Sequence, residues 1–247
     1  MKPALKPFWN RFLSFDQRFG FGLILLICIP RFFMVLHANR TGSYGLLSLI
    51  MIVSALLPFL FLTKSGREKT GIVRPKRFSW LFYAFLIGIG FSLFLYFLGD
   101  FLYGDTPSNW YTYIGRTYHI PSPISPEDKR VYFAIFAATG MLFSPIGEEL
   151  FFRGIVHSSL ATSLGDAKAS AVDSLAFALT HISHFGLVYL AGEWQLLPGP
   201  TVLWVAGMYV ASRLFFKSRA YSGSILGAIS CHAGFNLGMT YSIFYLL

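Results

Sequence analysis

The chain has 247 residues, of which 55% are hydrophobic and only 13% charged, with 27 phenylalanines and a mean hydropathy of +0.58. Soluble domains are usually about 25% charged, so the composition excludes a large water-soluble core and indicates a polytopic membrane protein with short loops. The formal net charge of +9 comes without a clustered basic patch interleaved with aromatics, and it reads as cytoplasmic anchoring of loops, not nucleic-acid binding.

No soluble domain of roughly 50 residues or more fits between the apolar runs. Residues 1–247 therefore read as one integral membrane domain, with 1–18 as a basic amphipathic N-terminus and 131–247 as the motif-bearing core. Cys28 and Cys231 both fall in apolar runs, with neither a disulfide framework nor metal-site spacing. The N-terminal region has no short apolar stretch ending in a small-residue cleavage site, so the first apolar run reads as a retained span.

In chain order, Phe8, Trp9, Phe12, Leu13 and Phe15 mix with Lys2, Lys6, Arg11 and Arg18, which predicts an interfacial amphipathic helix opened near Pro7. The first span is Phe19 to Leu36 and contains Pro30 and Arg31. Arg31 snorkels, pairs with a carboxylate elsewhere, or marks a break in the helix. The second span is Ser43 to Leu62. Lys64, Arg67, Lys69, Arg74, Lys76 and Arg77 follow it against Glu68 alone, the strongest topology signal in the chain, and they place that loop on the cytoplasmic side. The third span is Ser79 to Tyr103.

Gly104 to Arg130 is the one long loop, punctuated by Pro107, Pro121, Pro123 and Pro126. Its Trp110, Tyr111, Tyr113 and Tyr118 favour a bilayer interface, so it reads as an interfacial connector, with a lid or substrate contact as the alternative. The fourth span runs from Val131 into a charged cluster, where Pro145 kinks or restarts the helix. The fifth is Ala169 to Leu190, followed by a turn at Gly192 to Pro200; the sixth is Thr201 to Phe216 and the seventh Ser222 to Leu246. The predicted fold class is all-α: a polytopic transmembrane helix bundle of about seven spans (roughly six to eight), with a polar catalytic cavity within the membrane. The basic segments agree with a cytoplasmic N-terminus, and no internal repeat is evident.

Three polar clusters interrupt the apolar runs. In the first, Glu149 and Arg153 are an i,i+4 pair in the favourable order, while Glu148 points about 100° away, toward the face of Phe151 and Phe152. This predicts one structural ion pair and one unpaired carboxylate in an apolar setting, which suits a general acid or base. The other reading is a helix end with a solvated charge cluster. In the second cluster, Phe177 and His181 share a helix face, with His184 about 60° round from His181. A lone histidine on an apolar helix is usually a satisfied core residue; two within one turn weaken that reading. In the third, His232 and Asn236 share a face. Such an Asn is often a helix–helix contact, and an imidazole aligned with an amide also supplies two donors to an oxyanion. Counted from the span entrances at about 1.5 Å per residue, Glu148, His181 and His232 reach compatible depths in a core about 30 Å thick.

Glu148-Glu149-x-x-x-Arg153, Phe177-x-x-x-His181 and His232-x-x-x-Asn236 together resemble the three ordered motifs of the CAAX-protease and bacteriocin-processing (CPBP, or Abi) family of intramembrane endopeptidases, which includes the CAAX prenyl endopeptidase. No motif position departs from the pattern. The resemblance spans Glu148 to Asn236; the N-terminal half is similar only in being multi-helix membrane protein. It implies that Glu148 activates water with His181 assisting, that His232 and Asn236 form an oxyanion hole, and that Glu149 and Arg153 support the site. It implies no obligatory cofactor, a membrane-associated peptide or protein substrate and a lipid bilayer as surroundings; the short loops and compact length point to a bacterial plasma membrane. Zinc on His181, His184, His232 and Glu148 is the alternative, against which His-Glu-x-x-His is absent. His184 is extra to the motif and has no assigned role.

Two further readings compete: an immunity or scaffold protein that binds a membrane peptide, and a transporter, against which the lack of a repeat argues. No Gly-x-Ser-x-Gly elbow is present, and Asp100 and Asp173 show no partner in the sequence. Oligomeric state and substrate identity are not legible.

Overall fold

The computed structural model describes residues 3–247. Lys2, part of the predicted basic N-terminus, lies outside them. Among the described residues the elements are α1 (Gln17–Thr41), α2 (Gly45–Phe61), a short α3 (Lys64–Lys69), α4 (Ser79–Tyr103), α5 (Trp110–Thr117), α6 (Pro126–Glu148), a π-helical segment (Glu149–Val156), α7 (His157–Thr180), a hairpin of β1 (Leu187–Leu190) and β2 (Glu193–Leu196), α8 (Pro198–Ser222) and α9 (Ile225–Tyr245). The fold is an all-α bundle with one small hairpin. Three helical stretches, Gln17–Thr41, Ser79–Tyr103 and Pro126–Ser183, are long and apolar enough to cross a membrane, and α2 is apolar but shorter. Phe21, Leu25, Phe33, Phe82, Phe94 and Phe97 are exposed on α1 and α4, an exterior suited to hydrocarbon instead of water.

Local chemistry explains most helix ends. Asp16 caps α1 by accepting from the backbone N–H of Arg18 and Phe19, and α1 stops at Gly42 in a left-handed conformation (φ 71°). Ser125 caps α6, with Pro126 in its first turn and Glu127 and Asp128 near the positive end of its dipole. α6 continues through Pro145 without stopping and then widens into the π-helical segment that carries the first polar motif. Such segments are rare and occur often at functional sites.

Three expectations are corrected. The N-terminal amphipathic helix reduces to one 3-10 turn, Trp9–Arg11. Leu5 is instead fully buried and bridges to Leu62, while Lys6 N–H donates to the Phe61 carbonyl and Trp9 Nε1 to the Leu60 carbonyl. Backbone pairing with the end of α2 thus replaces a self-contained helix. The fifth span does not run to Leu190: α7 ends at Thr180, a 3-10 turn follows, and Leu187–Leu190 pairs antiparallel with Glu193–Leu196. The β-branched and aromatic run Val188-Tyr189 suits a strand, and Gly192 (φ 90°) makes the turn. α7 also begins earlier than expected and breaks at Gly165 (φ 75°, ψ 161°), a conformation open to glycine.

The long loop is not a surface connector. Its α5 segment is packed inside, with Trp110 and Tyr111 fully buried. Trp110 Nε1 donates to the Leu95 carbonyl at 3.1 Å, and Tyr111 pairs with Ser92 at 2.8 Å. Of the aromatic residues read as interfacial, Trp110 and Tyr111 are core residues whose polar tips find partners on α4, Tyr113 is buried with its hydroxyl accepting from the Tyr189 backbone N–H at 2.8 Å, and Tyr118 is half-buried and stacks on Phe136.

α9 packs against α4, α6 and α8. Its approach to α4 depends on missing side chains: a Cβ at Gly88 would collide with the Cys231 carbonyl, and one at Gly234 with the Phe85 carbonyl. Close backbone contact of this kind is how small residues join helices in lipid, where apolar side chains gain nothing by leaving the solvent.

Candidate active site

Glu148 is 2% exposed at the end of α6. Its Oε1 accepts from Ser144 Oγ, one turn earlier, at 2.5 Å and from Arg31 Nη2 on α1 at 2.8 Å. The expected unpaired carboxylate is therefore corrected: of the three readings of Arg31, the ion pair is the one found. The physical reason is that two charges taken from water tolerate burial only when paired. Glu148 Oε2 has no protein partner. His181 Nε2 lies 3.9 Å from it.

His181 closes α7 at the start of the 3-10 turn. Its Nδ1 lies 2.7 Å from the Phe177 carbonyl, one helical turn back. A carbonyl only accepts, so Nδ1 carries a proton; when the ring is neutral, Nε2 is an unprotonated acceptor toward Glu148. Trp204 Nε1 on α8 donates to the His181 carbonyl at 3.0 Å and fixes the turn. His184 stacks on His181 with ring centroids 5.1 Å apart, and its Nε2 has no partner.

His232 lies on α9, with Nδ1 2.8 Å from Glu149 Oε1. Phe215 stacks on its ring at 4.6 Å and 10°. The same Glu149 oxygen receives Arg153 Nη1 at 3.1 Å, so the ion pair read from i,i+4 spacing is present although the backbone there is π-helical. Arg153 is buried over the face of Phe177, 4.4 Å from its centroid, and a second nitrogen donates to Ser212. Asn236 Nδ2 donates to the Gly140 carbonyl on α6 at 2.8 Å, leaving one N–H free.

Glu148, His181, His184, His232, Asn236 and Arg31 line one cavity of about 470 Å³. The three motifs therefore converge. Glu149 and Arg153 stand behind the wall. Tyr44 and Met51 from the α2 region and Ile114 and Thr117 from α5 line it too, a contribution invisible in the motif pattern. In the sequence the signals for elements outside the motifs were a charge, Arg31, inside the first apolar run, and the aromatic long loop, for which a lid or substrate contact was the alternative reading. Asp173, without an evident partner in the sequence, pairs with His157 at 2.7 Å, outside this cavity.

For the zinc alternative the donors fit poorly. Among the described residues no three His, Cys, Asp or Glu side chains are grouped to hold a metal ion. His232 Nδ1 and one Glu148 oxygen are already engaged, the latter by a cation that would repel another.

Residues 130–238 match the family model described as type II CAAX prenyl endopeptidase, Rce1-like. No curated protein and no solved structure matches the chain. The matched family implies a membrane-embedded protease acting on a peptide or protein. The segment that carries all three polar motifs thus matches a CAAX-protease family model, consistent with the CPBP family, and the chain around it is an integral membrane protein.

Proposed function

We propose that this chain is an intramembrane endopeptidase that hydrolyses a peptide bond by glutamate-activated water, without a metal step. The observation that carries the reading is the gap between Glu148 Oε2 and His181 Nε2. Both atoms are acceptors, they are 3.9 Å apart, and the first has no partner. Two acceptors this close call for a donor with two hydrogens, and a water molecule admitted from the cavity to one side of the pair would satisfy both.

The water oxygen attacks the substrate carbonyl carbon as Glu148 Oε2 takes one of its protons. The carbonyl oxygen becomes an oxyanion and accepts from the free N–H of Asn236 and from His232. Because His232 Nδ1–H is directed at Glu149, donation from Nε2 requires the doubly protonated ring. Glu149 supplies the compensating charge, and Arg153 holds Glu149 in place. The tetrahedral carbon then expels the amine, which receives the proton from Glu148; the carboxylic acid formed gives up the water's second proton to that amine, leaving a free carboxylate and an ammonium group. Loss of one oxyanion donor typically costs about 2.7–4 kcal/mol in the transition state.

The substrate class is a membrane-associated protein or peptide. A CAAX-like tail is favoured by the matched family description; a leader or sorting peptide has the same chemistry. The basic Lys64–Arg77 segment supports a cytoplasmic N-terminus, and the short loops and compact length favour a bacterial inner membrane. The test compares protein termini by mass spectrometry in host cells carrying wild type or Glu148→Gln at equal expression. New termini found only with wild type support the protease and name its substrate. Identical samples, with a phenotype on deletion, move the peptide-binding immunity reading ahead.

A further inference from the structure

Helix α1 brings to the cavity a charge that none of the three motifs contains and that lies outside the matched segment 130–238. Arg31 is 3% exposed and reaches Glu148 across 117 residues of sequence. The contact is lopsided in a useful way. Arg31 and Ser144 both hold Oε1, and nothing in the protein holds Oε2. A carboxylate gripped on one oxygen has its plane and its second oxygen constrained. A two-nitrogen clasp, the geometry arginine commonly adopts with carboxylates, would instead have covered both oxygens and left no base. Here one nitrogen makes the contact, and Arg31 Nε has no partner.

α1 also sets the other side of the gap. Asn39, two turns beyond Arg31, donates Nδ2 to the Ser183 carbonyl at 2.7 Å, inside the turn that begins with His181. One helix thus touches both the segment carrying the base and the segment carrying its histidine.

We infer that Arg31 is a positioning residue for the hydrolysis: with Ser144 it holds Glu148 Oε1, compensates its charge, and aims Oε2 at the water between Glu148 and His181. This rests on the role proposed above for Glu148. It makes α1 part of the catalytic unit.

The test uses the full chain in host membranes at equal expression and reads the rate at which the new termini appear for wild type, Arg31→Met, Arg31→Lys, Ser144→Ala and Glu148→Gln. Loss of alignment of this kind costs about 100-fold, which is the expected fall for Arg31→Met. Because the contact is a single point of charge, lysine can replace it, and Arg31→Lys recovers at least about tenfold of that loss. A residue that merely fills space would not distinguish lysine from methionine in that direction. Ser144→Ala, which keeps the ion pair and loosens the grip, falls by about tenfold.

Wild-type rates for Arg31→Met, or no advantage of Arg31→Lys over Arg31→Met at equal amounts of folded protein, overturn the inference. If Arg31→Met does not accumulate, Ser144→Ala decides: a wild-type rate there overturns it, and the expected loss supports it. Should Glu148→Gln cleave like wild type, the mechanism itself falls and this inference with it. Should Glu148→Gln be inactive while Arg31→Met is normal, only this inference falls.

Discussion

Glu148 and Glu149 are adjacent in sequence, each is paired with a buried arginine, and each leaves its Oε2 without a protein partner. They differ in what lies in front of them. Glu149 stands behind the cavity wall, where one oxygen takes both Arg153 at 3.1 Å and His232 at 2.8 Å. Glu148 lines the cavity, and its free oxygen lies 3.9 Å from Nε2 of His181, which lines the same cavity. The comparison teaches that burial and an ion pair do not by themselves assign a role to an intramembrane carboxylate. Access to the cavity separates the proposed base from the carboxylate that orients a partner.

The strongest way to break the comparison is Glu148→Ala. It is expected to reduce cleavage by at least about 10⁴-fold, the upper range for a positioned acid or base, and normal cleavage by the purified variant would end the mechanism. Arg153→Met probes the other carboxylate. Breaking one side of a buried pair costs about 3–5 kcal/mol, so this variant is expected to unfold at a clearly lower temperature in lipid nanodiscs. An unchanged unfolding temperature would mean that Glu149 does not depend on Arg153.

A smaller effect is expected at the oxyanion side. Asn236→Ala should lower kcat by about 100-fold while the protein keeps its unfolding temperature within a few degrees. A change confined to stability would make Asn236 only a helix contact through Gly140. Last, Gly88→Ala should cost about 1–3 kcal/mol by forcing α4 from α9, seen as a lower unfolding temperature, with the cleavage rate per folded molecule little changed. A large loss of rate there would show that the α4–α9 contact tunes the site and that the division between supporting and reacting regions is too sharp.

Several features were legible before any coordinates. The third span matches α4 residue for residue, because a long apolar run bounded by a basic loop and a glycine admits one helix. The Glu149–Arg153 pair followed from spacing alone, since both partners sit on one stretch of backbone. The convergence of Glu148, His181, His232 and Asn236 was anticipated from three motifs at compatible depth. The buried α5 was misread because Trp and Tyr serve a bilayer interface and a polar-tipped core equally well, and only their partners on α4 and β1 distinguish the two. The hairpin at 187–196 was read as helix end and turn because a short apolar run carries no decisive period.

By itself the sequence determined that the chain lives in a membrane, that its apolar runs carry polar clusters at three places, and that these clusters resemble a protease's motifs. Those properties are local: they depend on composition and on residues within a turn of one another. Only the tertiary structure decided that Arg31 meets Glu148, that His232 spends one nitrogen on Glu149, and that α5 and α1 line the cavity. Those contacts join elements far apart in sequence. They are selected by which buried charges and donors find partners when the helices pack, and no spacing rule encodes that.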